Sequence, residues 1–449
     1  MSLFGALTAA SQALLSQKIG ITTTNRNMNN VYTDGYSRET PLFADLPGLG
    51  VQVETVKRVF SRAYFKRLIS ENGENSQLSA YKNVLSQIES LFNDPMGSGL
   101  SEAINRFFNS LHDIAVKPDD IAARANFLSV AKTLVGRIRD TYSSLEEIES
   151  TSVSHLKDVI SEVNRLTEKL AEINRNMLIF KDSPERFNQY LDERDRTLKE
   201  LSSLIDVKVV YLPDERVRVF TAKGFPLVSE ERSFDVSVEQ SSDGVKVIAD
   251  GVDVTDDFKK GKVAGIISGV KVVEDYKSKL NLLVSTFAEK VNEQHEAGYD
   301  LYGETGVSLF SSDNGQPIDA SNIVLSFEDP KKVAAASDSN YLNSDNTNVK
   351  ALIELGQKTF SELSDLSFSE YYGTEIASSI GTEVKSVDDR LKASQFRLES
   401  IEEKVKELSG VNIDEELVNL TKYQRAYQAA ARIVTVTDEL LQTVLGMVR

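Results

Sequence analysis

Apolar residues recur at heptad spacing near both ends of the chain. In the N-terminal region they form one line, namely Leu7, Leu14, Ile21 and Met28. Residues spaced in this way share one side of an α-helix and form a seam that packs on a partner helix. The pattern therefore predicts an N-terminal helix, which we expect to end around Asn29, before the turn signal Asp34-Gly35.

The C-terminal region carries a second seam of the same kind. It follows Gly410 and a predicted helix cap at Asn412. The apolar line consists of Leu420, Tyr427, Val434 and Leu441, and it is flanked by Leu417 and Leu445. Because the two seams are of similar length, we expect the terminal helices to pack as a coiled coil on each other and on neighbouring copies.

Between the two seams, the spacing of apolar residues changes from one typical of helices to one typical of strands, and then back to helical spacing. Alternation typical of half-buried strands begins at Val207. The predicted fold class is mainly α with a β insertion: paired terminal helices forming a coiled coil, a long-helix bundle and a small β domain inserted between the halves of the bundle. The predicted domains are 1–60 plus 405–449 (terminal helical coiled coil), 61–205 plus 262–300 plus 349–404 (helical bundle), 206–261 (small β domain) and 301–348 (irregular Gly/Asn/Ser-rich segment).

Composition narrows the class of protein. The 449 residues are 41% hydrophobic and include no Cys, so folded cores are expected, whereas disulfides and thiolate zinc sites are excluded. The formal net charge is −17, and without a basic footprint we expect no nucleic-acid partner. No apolar run approaches the roughly 18 residues that span a bilayer, so we expect no membrane insertion. The N-terminal segment reads as mature helix rather than as a signal peptide.

Motifs for catalysis or cofactor binding are not evident in the sequence. The glycine spacings of a nucleophile elbow, a P-loop and a dinucleotide loop are all incomplete. His112, His155 and His295 are scattered, and each is more typical of a surface or hydrogen-bonded core position than of a metal ligand. The acids between Asp250 and Asp257 lack calcium-loop spacing and indicate a solvated turn. We therefore expect no enzyme, cofactor or metal site, and we interpret the seams as assembly surfaces.

Several stretches resemble bacterial flagellar axial proteins. "GALTAASQALLSQKIGITTTNRNMNNVYTDGYSRE", residues 5–39, is similar to the N-terminal signature of rod, hook and hook-associated proteins. Its turn, of the TPGYSR type, consists here of Asp34, Gly35, Tyr36, Ser37 and Arg38 after Thr33, with Asp34 in place of the usual proline. Three further stretches, 188–210, 291–310 and 409–434, resemble the hook-associated protein 1 family of hook–filament junction proteins.

The resemblance implies a structural role in the flagellum. Such proteins are exported unfolded through the flagellar type III apparatus and assemble as a layer between hook and filament, with paired terminal helices lining the channel. The implied partners are the hook protein, hook-associated protein 3, copies of the same chain and an export chaperone. The implied localisation is the secreted flagellum after a transient cytoplasmic stage. On the C-terminal helix, the candidate chaperone-binding residues are Tyr423, Tyr427, Val434 and Leu441.

Three alternative interpretations remain. The chain could be hook-associated protein 3 or another axial protein, although residues 191–210, "LDERDRTLKELSSLIDVKVV", argue against it. It could be an enzyme or adhesin displayed on a helical stalk, in which case a polar pocket would lie in the β insertion. It could also be a cytoplasmic coiled-coil scaffold, which recovery of the full-length chain from the culture medium would exclude.

Overall fold

The computed structural model describes residues 2–47, 50–92, 99–241 and 244–447. Residues 1, 48–49 and 448–449 of the predicted terminal domain lie outside this described part. The α-helices are α1 (Leu3–Asn29), α2 (Arg62–Phe92), α3 (Leu100–Val116), α4 (Ile121–Ile179), α5 (Pro184–Leu204), α6 (Gly261–Glu296), α7 (Thr347–Leu355), α8 (Phe368–Tyr371), α9 (Ser379–Ser409) and α10 (Ile413–Met447). A π-helical stretch, Tyr372–Ser378, joins α8 to α9.

The strands form small antiparallel sheets between the helices. A hairpin of β1 (Glu39–Leu46) and β2 (Gly50–Arg58) follows α1. Between α5 and α6 lie a four-stranded sheet, β3 (Lys208–Tyr211), β4 (Val217–Phe220), β5 (Pro226–Ser229) and β6 (Arg232–Ser233), and a three-stranded sheet, β7 (Val236–Ser241), β8 (Gly244–Ala249) and β9 (Val252–Asp253). The last pair is β10 (Phe310–Ser312) with β11 (Ile323–Leu325). The predicted fold class, mainly α with a β insertion, is confirmed.

The hairpin of β1 and β2 was not predicted from the sequence, which indicated only helix and turn in this region. Its strands pair from Glu39 opposite Arg58 to Leu46 opposite Gly50, and the register shifts between Leu42 and Phe43. A bulge places an extra residue in one strand and breaks the two-residue alternation. Because the apolar residues Leu42 and Phe43 are adjacent at the bulge, the alternation of apolar and polar residues is interrupted, and the sequence pattern does not reveal the strand.

The longest helix, α4, runs through the whole body of the protein. Its 59 residues correspond to a length of about 90 Å at 1.5 Å per residue. The side chain of Asp120 accepts hydrogen bonds from the backbone N–H groups of Ala122 and Ala123 at 2.8 and 3.3 Å. Asp120 is thus the N-cap of α4.

Two hydrophobic cores lie along α4. One contains the second half of α2 and α3, with the phenyl rings of Phe107, Phe127, Phe287 and Phe310 in mutual contact. The other contains α5, the start of α6 and the inner faces of the two inserted sheets. The chain therefore leaves the body after α5, forms the β insertion and returns along α6.

The segment between α6 and α7 is irregular but packed against the first core. Leu309, Phe310 and Ile323 are buried. Buried His295 fixes the start of the segment, because its Nδ1–H donates to the carbonyl of Val307 at 2.6 Å and its Nε2 accepts from the N–H of Ala334 at 3.0 Å. This hydrogen bonding defines the neutral Nδ1–H tautomer.

Candidate assembly interface

Helices α1 and α10 pack side by side, and small or polar residues form the innermost row of their contact. On α10 this row consists of residues seven positions apart, namely buried Glu416, Ala430 and Thr437 and half-buried Tyr423. On α1 they are Ala10, Ser16, Gly20, Thr23, Thr24 and Asn27. A Cβ atom on Gly20 would lie 2.9 Å from Cγ of Tyr423, so the absent side chain is what admits the tyrosine ring. The ring of Phe43 contacts the same tyrosine, with centroids 6.0 Å apart.

The residues predicted for the coiled-coil seam lie beside this innermost row. Leu7, Leu14, Ile21, Met28, Leu420, Val434 and Leu441 are half-buried in the single chain. Tyr427, Leu417 and Leu445 are 39%, 45% and 69% exposed. The pair of helices therefore covers only part of the predicted seam, and contact of these residues with other copies stays a prediction.

Both terminal helices also expose an apolar surface, which we call the outer stripe. Its members are Phe4, Leu15 and Ile19 on α1 and Leu417, Val418, Ile433, Val436, Leu440, Val444, Leu445 and Met447 on α10. Scattered exposed apolar residues are ordinary, but a large contiguous group along one element marks a protein-interaction site. The outer stripe gives the terminal pair a surface for further helices.

Asn27, at the end of α1, is completely hydrogen-bonded. Its Nδ2 donates to the backbone carbonyl of Glu39 at 2.9 Å and to a carboxylate oxygen of Glu416 at 3.1 Å. Its Oδ1 accepts from the N–H of Glu39 at 2.9 Å and from the hydroxyl of Tyr36 at 2.8 Å. One buried amide thus joins α1, the turn after it and the first turn of α10.

Arg38, in the predicted turn signature, ties the same turn to α10. Its Nε lies 2.7 Å from the buried carboxylate of Glu416, and one terminal nitrogen lies 2.8 Å from the exposed carboxylate of Glu415. Its backbone N–H donates to the carbonyl of Ser409 at 2.8 Å. The turn therefore holds α10 at the point where the chain leaves α9.

On the body side, Arg58 and Asn188 complete the connection. Arg58 lies 2.8 Å from a carboxylate oxygen of Asp192 and 2.8 Å from one of Asp195, and it donates to Oγ of Ser37 at 3.0 Å. Asn188 donates to the carboxylate of Glu39 at 3.0 Å. We call this set the polar hub: Arg26, Asn27, Tyr36, Ser37, Arg38, Glu39, Arg58, Asn188, Asp192, Asp195 and Glu416.

Each acid of the polar hub lies beside an arginine, although the burial of these charges is unfavourable. Burial raises the pKa of Asp192 to about 6, while the charge of Arg58 opposes this shift. Burial likewise raises the pKa of Glu39, against the charge of Arg26, which lies 2.7 Å away. Removing one partner of a buried pair leaves an uncompensated charge. The polar hub therefore fixes one geometry between the terminal helices and the body.

The other residues of the turn signature have separate roles. Asp34 is exposed. Gly35 has a φ of +75°, a backbone conformation that glycine adopts without strain. A side chain there would also approach Arg196, since a Cβ would lie 3.0 Å from its Nε. The turn therefore combines a conformational requirement at Gly35 with the hydrogen-bonding residues Tyr36, Ser37 and Arg38.

The remaining residues considered in the sequence analysis are the three histidines and the acids between Asp250 and Asp257, and the prediction for one of these acids is wrong. His112 and His155 are exposed and His295 is a hydrogen-bonded core residue. The prediction of a solvated acidic turn is wrong for Asp257, which is buried and accepts from the hydroxyl of Thr221 at 2.5 Å. In the part of the chain that the structure describes, no cluster of His, Cys, Asp and Glu has the arrangement of a metal site. Nor does any helix there have the length and apolar character that crossing a bilayer requires.

Comparisons with known proteins identify the class. Residues 405–447 match the sequence model of the flagellar basal body rod FlgEFG protein C-terminal, and residues 85–310 match that of the flagellar hook-associated protein FlgK helical domain. With its paired terminal helices and a body between them, the molecule is a structural protein of the flagellar axis. More specifically, the chain belongs to the flagellar hook-associated protein FlgK family.

Individual relatives agree with this assignment. Flagellar hook-associated protein 1 of Bacillus subtilis is 25% identical, and the alignment covers 99% of this chain and 98% of the relative. The protein of the same name from Salmonella typhimurium is 24% identical, with 70% of this chain aligned to 60% of the relative. The flagellar hook junction protein FlgK from Burkholderia pseudomallei has the same fold, with a TM-score of 0.69 at 15% identity over 77% of this chain and 100% of that one.

Proposed function

We propose that this protein forms the junction layer between hook and filament and allows the filament to assemble, in a structural and non-catalytic role. Family membership supports the flagellar part of this proposal. The observation that carries the rest is the outer stripe on a terminal helix pair that the polar hub fixes to the body. A rigidly held pair with uncovered apolar surface is suited to packing among identical pairs.

The proposed partners are copies of the same chain at the sides, the hook protein on one side of the layer and hook-associated protein 3 on the other. The outer stripe has members on both helices, from Phe4 to Ile19 on α1 and near both ends of α10. Apolar surface on both helices suits contact with more than one neighbour, as in a layer of helix pairs. We further propose that the domains follow the predicted boundaries, with 206–261 facing outward.

We propose that the protein is exported through the flagellar type III apparatus and that a chaperone binds α10 beforehand. In the folded chain Tyr423 contacts Gly20 and Phe43, so α1 and a chaperone would compete for this face. Replacing Tyr427 and Val434 by alanine should weaken chaperone binding in calorimetry. Unchanged affinity would place the binding site elsewhere.

Deleting the gene tests the junction role. The expected result is cells with bare hooks, flagellin lost to the medium and filaments restored by the intact gene. A gene lacking residues 412–449 should fail to restore them, because the terminal pair cannot form. Normal filaments in the deletion strain would contradict the proposal.

A further inference from the structure

We propose that the bodies of neighbouring copies contact each other directly, with Phe396 of one copy entering the cleft between α2, α4 and α6 of the next. The partner is a second copy of this chain. The inference rests on the proposed function, because it requires copies standing side by side in a layer.

The cleft lies where the two cores of the body meet. Its volume is about 720 Å³. Buried Ala80, Val84 and Ile266 form an apolar floor, and hydroxyl-bearing residues such as Ser79 and Thr151 line the walls. An apolar centre with a polar rim is the composition of a protein-interface pocket that takes an aromatic side chain.

The side chain that we propose to enter the cleft is that of Phe396 on α9. Its side chain is 75% exposed. Val387, Leu391 and Ser394 are the buried residues of this part of α9, and Phe396 lies about 170° around the helix from them at 100° per residue. The phenyl ring therefore points away from its own body, into the space that a neighbour would occupy.

The cleft and the phenyl ring lie on different sides of the body but at a similar level. Arg397 pairs with Glu71 and Glu74 of α2 at 3.0 Å each, which places Phe396 level with Asn75 at one end of the cleft. On α2 the cleft-lining Ser79 lies about 80° around the helix from Glu71 and about 140° from Glu74 at 100° per residue, so the cleft does not open on the α9 side.

This arrangement gives each copy two different surfaces that complement each other. A contact between unlike surfaces repeats from copy to copy and closes into a ring or continues as a helix. A contact between like surfaces would instead stop at a dimer. The separated cleft and phenyl ring therefore suit a layer with many copies.

The side chains around the cleft and around Phe396 differ in charge, which favours the same orientation. Lys262 and His155 line the cleft, whereas Glu399 and Glu403 lie on the exposed side of α9 near Phe396.

Disulfide cross-linking in assembled flagella tests the contact, because the native chain has no cysteine. A chain carrying both Phe396→Cys and Ser79→Cys should give a ladder of dimers and larger multimers after mild oxidation of purified flagella. Each single variant should remain monomeric on the gel. A second pair, Phe396→Cys with Thr151→Cys, probes the opposite wall of the cleft in case the first variant does not fold.

The matched control is Phe396→Cys with Lys157→Cys. Lys157 is exposed on α4, on the side turned away from the cleft by helical spacing, and this pair should stay monomeric. Monomers from both cleft pairs, in flagella that contain the protein, would overturn the inference and leave the proposed function intact. Dimers from Phe396→Cys alone would show a contact between like surfaces and would also overturn it. Absence of the protein from flagella would contradict the proposed function itself.

Discussion

Glu416 links α10 to both α1 and the turn after it at the base of the terminal helices. Its carboxylate is 2% exposed and accepts from both Arg38 and Asn27. Glu415, the next residue toward the N-terminus, pairs with the same arginine but is 58% exposed. The two adjacent acids therefore pair with the same arginine but differ in burial. Comparing substitutions at the two positions distinguishes the contribution of the polar hub from that of a surface ion pair.

Replacing Glu416 by alanine should lower the local stability of the terminal pair by about 3 kcal/mol, because buried Asn27 and partly buried Arg38 each lose an acceptor. Hydrogen exchange of the amides in α1 and α10 measures this loss. Glu415→Ala is the control, with an expected change below about 1 kcal/mol. Equal effects of the two substitutions would refute a special role for the polar hub.

His295 should make the body sensitive to acid. Burial lowers its pKa to about 4, and protonation would place a proton on Nε2, the nitrogen that accepts from the N–H of Ala334. A lowered folded-state pKa contributes stability above the unfolded value, and this stability is lost as the pH falls from about 6.5 toward 4. We expect a loss of about 2–3 kcal/mol between pH 7 and 4.5.

Denaturant unfolding at the two pH values checks this expectation. His295→Gln should lose this part of the pH dependence, whereas exposed His112→Gln should keep it. An unchanged pH dependence in His295→Gln would show that other groups cause the acid sensitivity.

Among the secondary-structure elements, the helices were predictable from the sequence and the polar hub was not. Periodicity and caps reveal α1 and α10, because local residues such as Asn412 decide where a helix begins. Asn27 and Glu416 are 389 positions apart, and Asn188 and Glu39 are 149 apart. Local patterns carry no information about such pairs, so these polar residues looked like ordinary surface groups.

A partial signal for the polar hub was nonetheless present. The turn residues Tyr36, Ser37 and Arg38 and the stretch 188–210 were both singled out by resemblance, and the structure brings these two stretches together. Two polar stretches singled out independently could have been tested as contact partners. Their individual pairings still depend on tertiary geometry.

The contact of Gly20 with Tyr423 gives a test of how α1 and α10 pack. Gly20→Ala should lower stability by about 1–2 kcal/mol, because its Cβ would lie too close to the tyrosine ring and strain outweighs the gain in helix propensity. Gly136 in α4 has open space around it, so Gly136→Ala should raise stability by up to about 1 kcal/mol. Thermal unfolding followed by circular dichroism compares the two. A stabilising Gly20→Ala would contradict the described packing.

At the scale of the whole molecule, the residues that stabilise the folded chain and the residues available for assembly lie in different parts of the structure. The cores bury their residues within one chain, whereas the outer stripe and much of the predicted seam remain uncovered. Burial of these uncovered residues depends on other copies. Assembly should therefore be more sensitive than folding to changes in the terminal helices.

Replacing half-buried Leu14 and Ile21 by aspartate should leave the body folded but prevent incorporation into flagella. Each change places a charge where apolar contact with helices is expected, which disfavours burial. Circular dichroism and resistance of the body to proteolysis check folding, and electron microscopy of complemented cells checks assembly. Normal filaments built with this variant would show that the seam is not required.

Immunogold electron microscopy of isolated hook–filament complexes tests the junction assignment most directly. An antibody against residues 206–261 should label one narrow band at the boundary between hook and filament, and complexes from a deletion strain should carry no label. Label spread along the filament or the hook, or none on complexes from cells that make the protein, would contradict the account.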